Sequence, residues 1–221
     1  MSREVSGEIK LYFDFLCQYR ERDVNRALAE NPEFAATSHY LTGELPIIIA
    51  ANHGFIRLFP ALERHGADIN SKDEYGNSVL TLLLKGKSPG FWDPQYAPAE
   101  DCSIFMEVVK KANLDCDEKG LSPLHLAALG RHVLPIDALC QRNPAQINDK
   151  DKSGRTPLHC ACVLNGWDEL VYVSQIVKKL LENGADENIL DNNGEPPKNY
   201  LLRGVVGGDD SVEISEEDEG V

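Results

Sequence analysis

Long apolar runs are missing from this 221-residue chain; nowhere do about 18 apolar residues follow one another, the length a membrane-spanning helix needs. The first 20 residues also lack the basic start and extended apolar centre of a signal peptide, so a soluble protein of the cytoplasm is expected, with the nucleus as a second compartment. Positive charge is scarce: 22 Lys and Arg stand against 36 Asp and Glu, a net charge of −14. The last 15 residues hold seven Asp and Glu and no Lys or Arg, so they supply −7 of this and residues 1–206 the other −7. Neither part would attract a phosphate backbone or an anionic lipid surface over long range, so neither nucleic acid nor membrane is expected as a partner.

A disulfide framework is absent too. The six cysteines (Cys17, Cys102, Cys116, Cys140, Cys160 and Cys162) follow no framework spacing, and most stand where a small apolar residue is wanted, as reduced thiols in a reducing compartment would. His159-Cys160-x-Cys162 looks like a set of metal ligands, but helical residues two apart face different ways, and no second pair with zinc-site spacing exists. There is no glycine-rich phosphate loop after a strand and no Gly-x-Ser-x-Gly elbow. No catalytic residue, cofactor or metal is therefore expected.

What the chain does have is repetition. From Asp151 to Asp191 it reads as one helix-turn-helix unit. Thr156 is placed to cap a helix through its hydroxyl, and Pro157 suits the first helical position, where its missing N–H has no partner to lose. Gly184 follows Lys178-Lys179-Leu180-Leu181-Glu182, where a left-handed helix stop costs glycine least. The unit recurs at Ser122-Pro123-Leu124-His125-Leu126-Ala127-Ala128, 34 residues before Thr156, and in both copies an Asp stands five residues and a Gly two residues ahead of the Ser or Thr (Asp117 and Gly120; Asp151 and Gly154).

These residues resemble the ankyrin-repeat family, whose period is about 33 residues with a Thr-Pro-Leu-His-x-Ala signature. Weaker copies then become readable. Leu45-Pro46-Ile47-Ile48-Ile49-Ala50-Ala51 follows Gly43 and leads to Leu62-Glu63-Arg64-His65-Gly66-Ala67-Asp68-Ile69-Asn70, and Ser78-Val79-Leu80-Thr81 carries Asp73 and Gly76 in register. The resemblance implies an all-α ankyrin-repeat solenoid of about five to six repeats including degenerate caps. A capping helix pair is expected at 1–39, with helices at Ile9 to Gln18 and, capped by Asp23, Val24 to Glu30, then a loop at 31–42. The array at 40–206 is expected to hold repeats near 40–72, 73–116, 117–150 and 151–190 and a truncated cap at 191–206, before a disordered acidic tail at 207–221. In the family the signature histidine, here His125 and His159, bonds the backbone of the adjacent turn, while the recurring Asp73, Asp117, Asp151 and Asp191 with Gly three residues on belong to turn chemistry rather than acid-base pairs.

Two insertions interrupt the period. Ser78 to Ser122 spans 44 residues, about 11 too many, and the surplus within 87–100 contains Phe91, Trp92, Tyr96 and three prolines. It reads as a loop whose rings either fold back over the helix ends or form a protruding contact. A second surplus of about seven residues places Trp167 and Tyr172 in an extended outer helix, Asp168 to Glu182. By the family's geometry both insertions enlarge one edge, opposite the hairpin tips.

By the same geometry recognition falls on the concave face, where the repeats disagree at their tips: Glu74, Tyr75 and Asn77; Glu118, Lys119 and Leu121; Lys152, Ser153 and Arg155; Asn192, Asn193 and Glu195. Tyr75, Leu121 and Arg155 are the expected anchors. In the tail, Val212-Glu213-Ile214 resembles a short strand that adds to the edge of a small ubiquitin-like modifier, and Ser215 before Glu216-Glu217-Asp218 resembles an acidophilic kinase site. The expected function is non-catalytic protein-protein recognition by a monomer, as adaptor or inhibitor. Alternatives are a regulatory subunit of an enzyme complex and a bacterial or viral effector acting in a host cell's cytoplasm. A third is an inhibitor of Rel-type transcription factors, which the order of ankyrin repeats and acidic tail resembles; a deep pocket with convergent polar groups would point to a small-molecule role instead.

Overall fold

The computed structural model describes residues 6–85, 92, 93, 95, 97–163 and 170–206. Of the sites expected from sequence, Phe91, Tyr96, Trp167, Val212, Ile214 and Ser215 lie outside the described residues. The helices are α1 (Gly7–Cys17), α2 (Glu21–Glu30), α3 (Pro46–His53), α4 (Phe59–Arg64), α5 (Val79–Leu84), α6 (Ala99–Lys111), α7 (Pro123–Leu129), α8 (Ile136–Arg142), α9 (Pro157–Cys162), α10 (Leu170–Glu182) and α11 (Pro197–Val206). Short 3₁₀ turns at Pro32–Ala36, Ile56–Leu58 and Pro144–Asn148 join some of them.

Two layers result. The odd-numbered inner helices α1, α3, α5, α7, α9 and α11 each pack on the next, and the outer layer continues from α6 through α8 to α10. Each module touches mainly its neighbours, the arrangement of a solenoid. The inner helices are too short to persist alone in water. Packing holds them: every residue of α5 and α9 is buried. At roughly 1.5–3 kcal/mol for each large apolar side chain buried, such a helix is stable only inside the stack. One apolar core runs unbroken from Tyr12 to Leu180.

Local chemistry sets where the inner helices begin. Ser78, Ser122 and Thr156 each accept a hydrogen bond from the backbone N–H three residues on, and proline opens α3, α7 and α9. Gly54, in the left-handed conformation at φ 75°, stops α3.

Three expectations are corrected here. α2 starts at Glu21, not Val24, and no side chain caps it; Asp23 lies inside the first turn, where Arg20 (2.6 Å) and Arg26 (2.5 Å) both pair with it. The segment 31–42 is not loop throughout, because Pro32 opens a 3₁₀ turn that buries Phe34 and Ala35. Trp92 is no exposed contact. It is buried, its indole N–H donates to the Leu83 carbonyl (3.2 Å), and its ring stacks on Phe105 at 4.3 Å and 3°. The fold-back reading of the insertion therefore holds at Trp92, which pins the loop to both α5 and α6.

Candidate interaction surface

Between consecutive helix pairs the chain makes a tight hairpin, five in all among the described residues: 39–44, 73–77, 117–121, 151–155 and 191–195. The last four share one design. The leading Asp donates its N–H to the carbonyl four residues on, at 2.9–3.0 Å, and glycine takes the left-handed position at φ 76–77°. One oxygen of each Asp accepts the N–H groups two and four residues on: Tyr75 and Asn77 for Asp73, Lys119 and Leu121 for Asp117, Ser153 and Arg155 for Asp151, Asn193 and Glu195 for Asp191 (2.7–3.0 Å). The carboxylates thus serve the turn, as expected.

The second oxygen has a different partner each time: Asn77 Nδ2 (2.8 Å) on Asp73, Lys85 Nζ (2.9 Å) on Asp117, the Arg155 guanidinium (2.8 Å) on Asp151 and the Tyr200 hydroxyl (2.6 Å) on Asp191. At Asp191 the Tyr200 bond, helped by the backbone N–H groups of Glu195 and Asn193 and opposed by desolvation, holds the carboxyl down to a pKa of about 2. At Asp117 burial pushes the pKa up, but Lys85 and the N–H groups of Leu121 and Lys119 outweigh it, and the net shift is downward.

The signature histidines are committed to scaffold. His125 Nε2–H donates to the Arg155 carbonyl and His159 Nε2–H to the Glu195 carbonyl, both 3.0 Å. Their Nδ1 atoms accept the N–H of Ser122 (3.2 Å) and Thr156 (3.0 Å). Only the neutral ring, protonated on Nε2, satisfies both bonds. Burial, opposed by the accepting carbonyls, lowers the pKa of both imidazoles. Burial likewise raises the thiols of Cys160 to about 12 and of Cys140 and Cys162 to about 11, the reverse of what a nucleophilic or ligating thiolate needs. Among the described residues no three His, Cys, Asp or Glu side chains gather as a metal site.

Position within the hairpin decides which expected contact residues face solvent. Those one and two after the Asp are exposed: Glu74, Tyr75, Glu118, Lys119, Lys152, Ser153, Asn192 and Asn193. Those four after it form the base of the turn. Leu121 is buried at 6% and belongs to the core, so it is not an anchor. Asn77 and Arg155 are half-buried and spent on their own Asp, and half-buried Glu195 accepts from Asn199 Nδ2. Tyr75, 65% exposed, is the one expected anchor at a tip position.

Two exposed tip residues escaped the sequence reading. The first hairpin has His39 where the others have Asp and is one residue longer, with the His39 N–H bonded to the Glu44 carbonyl (2.8 Å) and its Nδ1 accepting from the Leu41 and Thr42 N–H groups (3.4 and 3.2 Å). Its tip presents Tyr40 and Leu41, 38% and 77% exposed. The signal was Gly43 alone, since without an Asp at the expected spacing the turn has no recognisable start.

The hairpins are joined unevenly. Lys152 N–H donates to the Lys119 carbonyl, Asn192 N–H to the Ser153 carbonyl and Asn192 Nδ2 to the Lys152 carbonyl, each at 3.0 Å. The equivalent N–H groups of Glu74 and Glu118 reach no carbonyl of the hairpin before them. A cleft of about 310 Å³ opens between the first two hairpins, lined by Thr42, Glu44, Leu45, Ile48, Asp73 and Glu74 among others.

Comparison with known proteins agrees with this architecture. The family described as "Ankyrin repeats (3 copies)" matches residues 96–191. The palmitoyltransferase AKR1 of Lachancea kluyveri is 31% identical over 65% of this chain and 18% of its own length. The target of rapamycin complex 2 subunit AVO2 of Saccharomyces cerevisiae is 32% identical over 38% of this chain and 18% of its own. Human neurogenic locus notch homolog protein 1 is 25% identical over 71% of this chain and 5% of its own. The chain therefore spans less than a fifth of each of these relatives. Family match, relatives, stacked helix pairs and Asp-Gly hairpins coincide, and the chain belongs to the ankyrin-repeat proteins.

Proposed function

We propose that this chain is a non-catalytic recognition module, an adaptor or inhibitor, holding a partner protein against the strip of hairpin tips. One observation carries the reading: the same scaffold bonds recur hairpin after hairpin, while the exposed tip side chains, those of Asn192 and Asn193 apart, take no part in them and differ from repeat to repeat. A fixed frame with variable exposed ends suits binding better than chemistry, and both histidine rings have their two nitrogens occupied. The relative named as a subunit of a larger complex supports the adaptor arm. The match to a palmitoyltransferase covers 18% of that protein, so transfer chemistry is not carried over with it. A cytoplasmic setting is part of the proposal, consistent with six free thiols, four of them buried.

The test is quantitative affinity capture from the native source with the full chain and with a Tyr75→Ser, Lys119→Ser, Lys152→Ser variant of unchanged melting temperature. Proteins retained by the natural chain and lost by the variant are expected. Equal retention by both would remove the tips from the account, and substrate turnover by the purified chain would overturn the non-catalytic reading.

A further inference from the structure

The exposed tips are not equivalent, and their chemistry changes along the array. The last three carry Glu118 and Lys119, Lys152 and Ser153, Asn192 and Asn193, and their backbones are bonded to one another. The first two carry Tyr40, Leu41 and Tyr75, and no hydrogen bond joins their backbones. Leu41 and Tyr75 are the two most exposed large apolar side chains among the described residues. Each adjoins in sequence a residue that lines the cleft between the first two hairpins, Leu41 next to Thr42 and Tyr75 next to Glu74.

Between these tips lies the cleft of about 310 Å³ already described. Its floor is apolar, half-buried Leu45 and fully buried Ile48, and its walls are acidic. Asp73 is used by its own turn, Glu44 accepts from Asn52 Nδ2 (3.4 Å) and Glu74 from the Tyr75 hydroxyl, but neither glutamate is in an ion pair with a lysine or arginine among the described residues. Lys72, the one cation lining the cleft among the described residues, is paired with Asp115 at 3.1 Å. The volume stands at the lower end of the range for small-molecule pockets, about 300–1,000 Å³, which suits one or two side chains rather than a cofactor.

We infer that this cleft binds an extended segment of the partner protein carrying an aliphatic or aromatic residue beside a lysine or arginine. The apolar side chain covers Leu41 and Tyr75, and the cation sits between Glu44 and Glu74. Arginine fits best, because a guanidinium meets a carboxylate with two parallel hydrogen bonds. The inference rests on the recognition reading above and narrows it to two of the five hairpins.

The experiment selects binders of the immobilised full chain from a random 12-residue peptide library, then measures affinity against variants whose circular dichroism and melting temperature match the natural chain. Recovered peptides should pair an apolar residue with Lys or Arg and weaken with added salt. They should lose at least tenfold in affinity to a Leu41→Ser, Tyr75→Ser variant and to Glu74→Lys, and nothing to Lys119→Ser, Lys152→Ser. Peptides that depend on Lys119 and Lys152 instead would keep the strip as the recognition surface and sink this assignment. Peptides indifferent to both sets would sink the recognition reading as well. A library yielding nothing above background also counts against the inference, which asks that one segment suffice.

Discussion

The two ends of this array solve the same stacking problem with different chemistry. Toward the C-terminus, His125 and His159 reach across to the next hairpin, Arg155 and Tyr200 complete the turn carboxylates, and backbone bonds join the tips. Toward the N-terminus the histidine position holds Ile48 and Thr81. Ile48 has nothing to donate, and the Thr81 hydroxyl only accepts from Ser78 Oγ within its own helix (3.0 Å). A side chain substitutes for the missing bridge, with Lys85 spanning Asn77 Oδ1 (2.8 Å) and Asp117 Oδ2 (2.9 Å). The price of the closed end is that its tip backbone is used up, whereas the open end keeps a cleft. Scaffold regularity and binding opportunity are thus separated along one chain.

The largest effect should come from the anchor of the irregular half. Trp92→Ala removes a buried ring, its stack on Phe105 and its bond to Leu83, and should cost about 3–5 kcal/mol in urea unfolding. A cost below about 1 kcal/mol would mean that the insertion is not held down at that point.

Two glycines test whether joining the tips matters. Gly76 and Gly154 share φ 77°, so alanine at either meets left-handed strain of roughly 1–2 kcal/mol. Only at Gly154 would the new Cβ also run into Asn192, 2.6 Å from its backbone nitrogen; at Gly76 it meets open space. Gly154→Ala should therefore cost more than Gly76→Ala, by about 1 kcal/mol or beyond for the broken Asn192 bond. Equal costs would show that the tips are not coupled.

The histidines give the next step down. His159→Ala strands the buried Thr156 N–H and removes the bridge to the Glu195 carbonyl, which keeps the Asp191 N–H, and should cost about 1–3 kcal/mol, against roughly 0.5–1.5 kcal/mol for Thr81→Ala, whose bond is local. Acidity probes the same bonds without mutation. Because the folded pKa of both rings is depressed, the unfolded chain binds protons that the folded chain refuses. Their contribution is complete above about pH 6.5 and is lost as the pH falls through the folded values. The urea midpoint should fall with pH in that window, and a His125→Ala, His159→Ala variant should show a flatter profile. Asp191 acts lower down, its contribution present above pH 3.8 and lost toward about 2, and Tyr200→Phe should narrow that window.

Much of the closed half was legible because its bonds are written in residue types at fixed spacing: Asp, then Gly three on, then Ser or Thr, Pro and His. The open half was legible only in outline. His39 does an Asp's work in a hairpin one residue longer, a substitution that periodicity does not flag, so Tyr40 and Leu41 went unnoticed. Variation between repeats identified the tips but not their depth. Leu121 varies as freely as Tyr75, yet it sits at the base of its turn, where its N–H and carbonyl both bond to Asp117 and its side chain falls into the core. Trp92 left two readings open because an aromatic ring serves a core and an interface equally well.

The contrast between joined and open hairpins can be read directly at five equivalent amides, those immediately after the leading residue of each turn: Tyr40, Glu74, Glu118, Lys152 and Asn192. Residue-resolved hydrogen exchange on the full chain should find Lys152 and Asn192 protected by their bonds to Lys119 and Ser153, with Tyr40, Glu74 and Glu118 exchanging near the rate of an unstructured chain. Uniform protection across all five, or exchange fastest at Lys152 and Asn192, would contradict it.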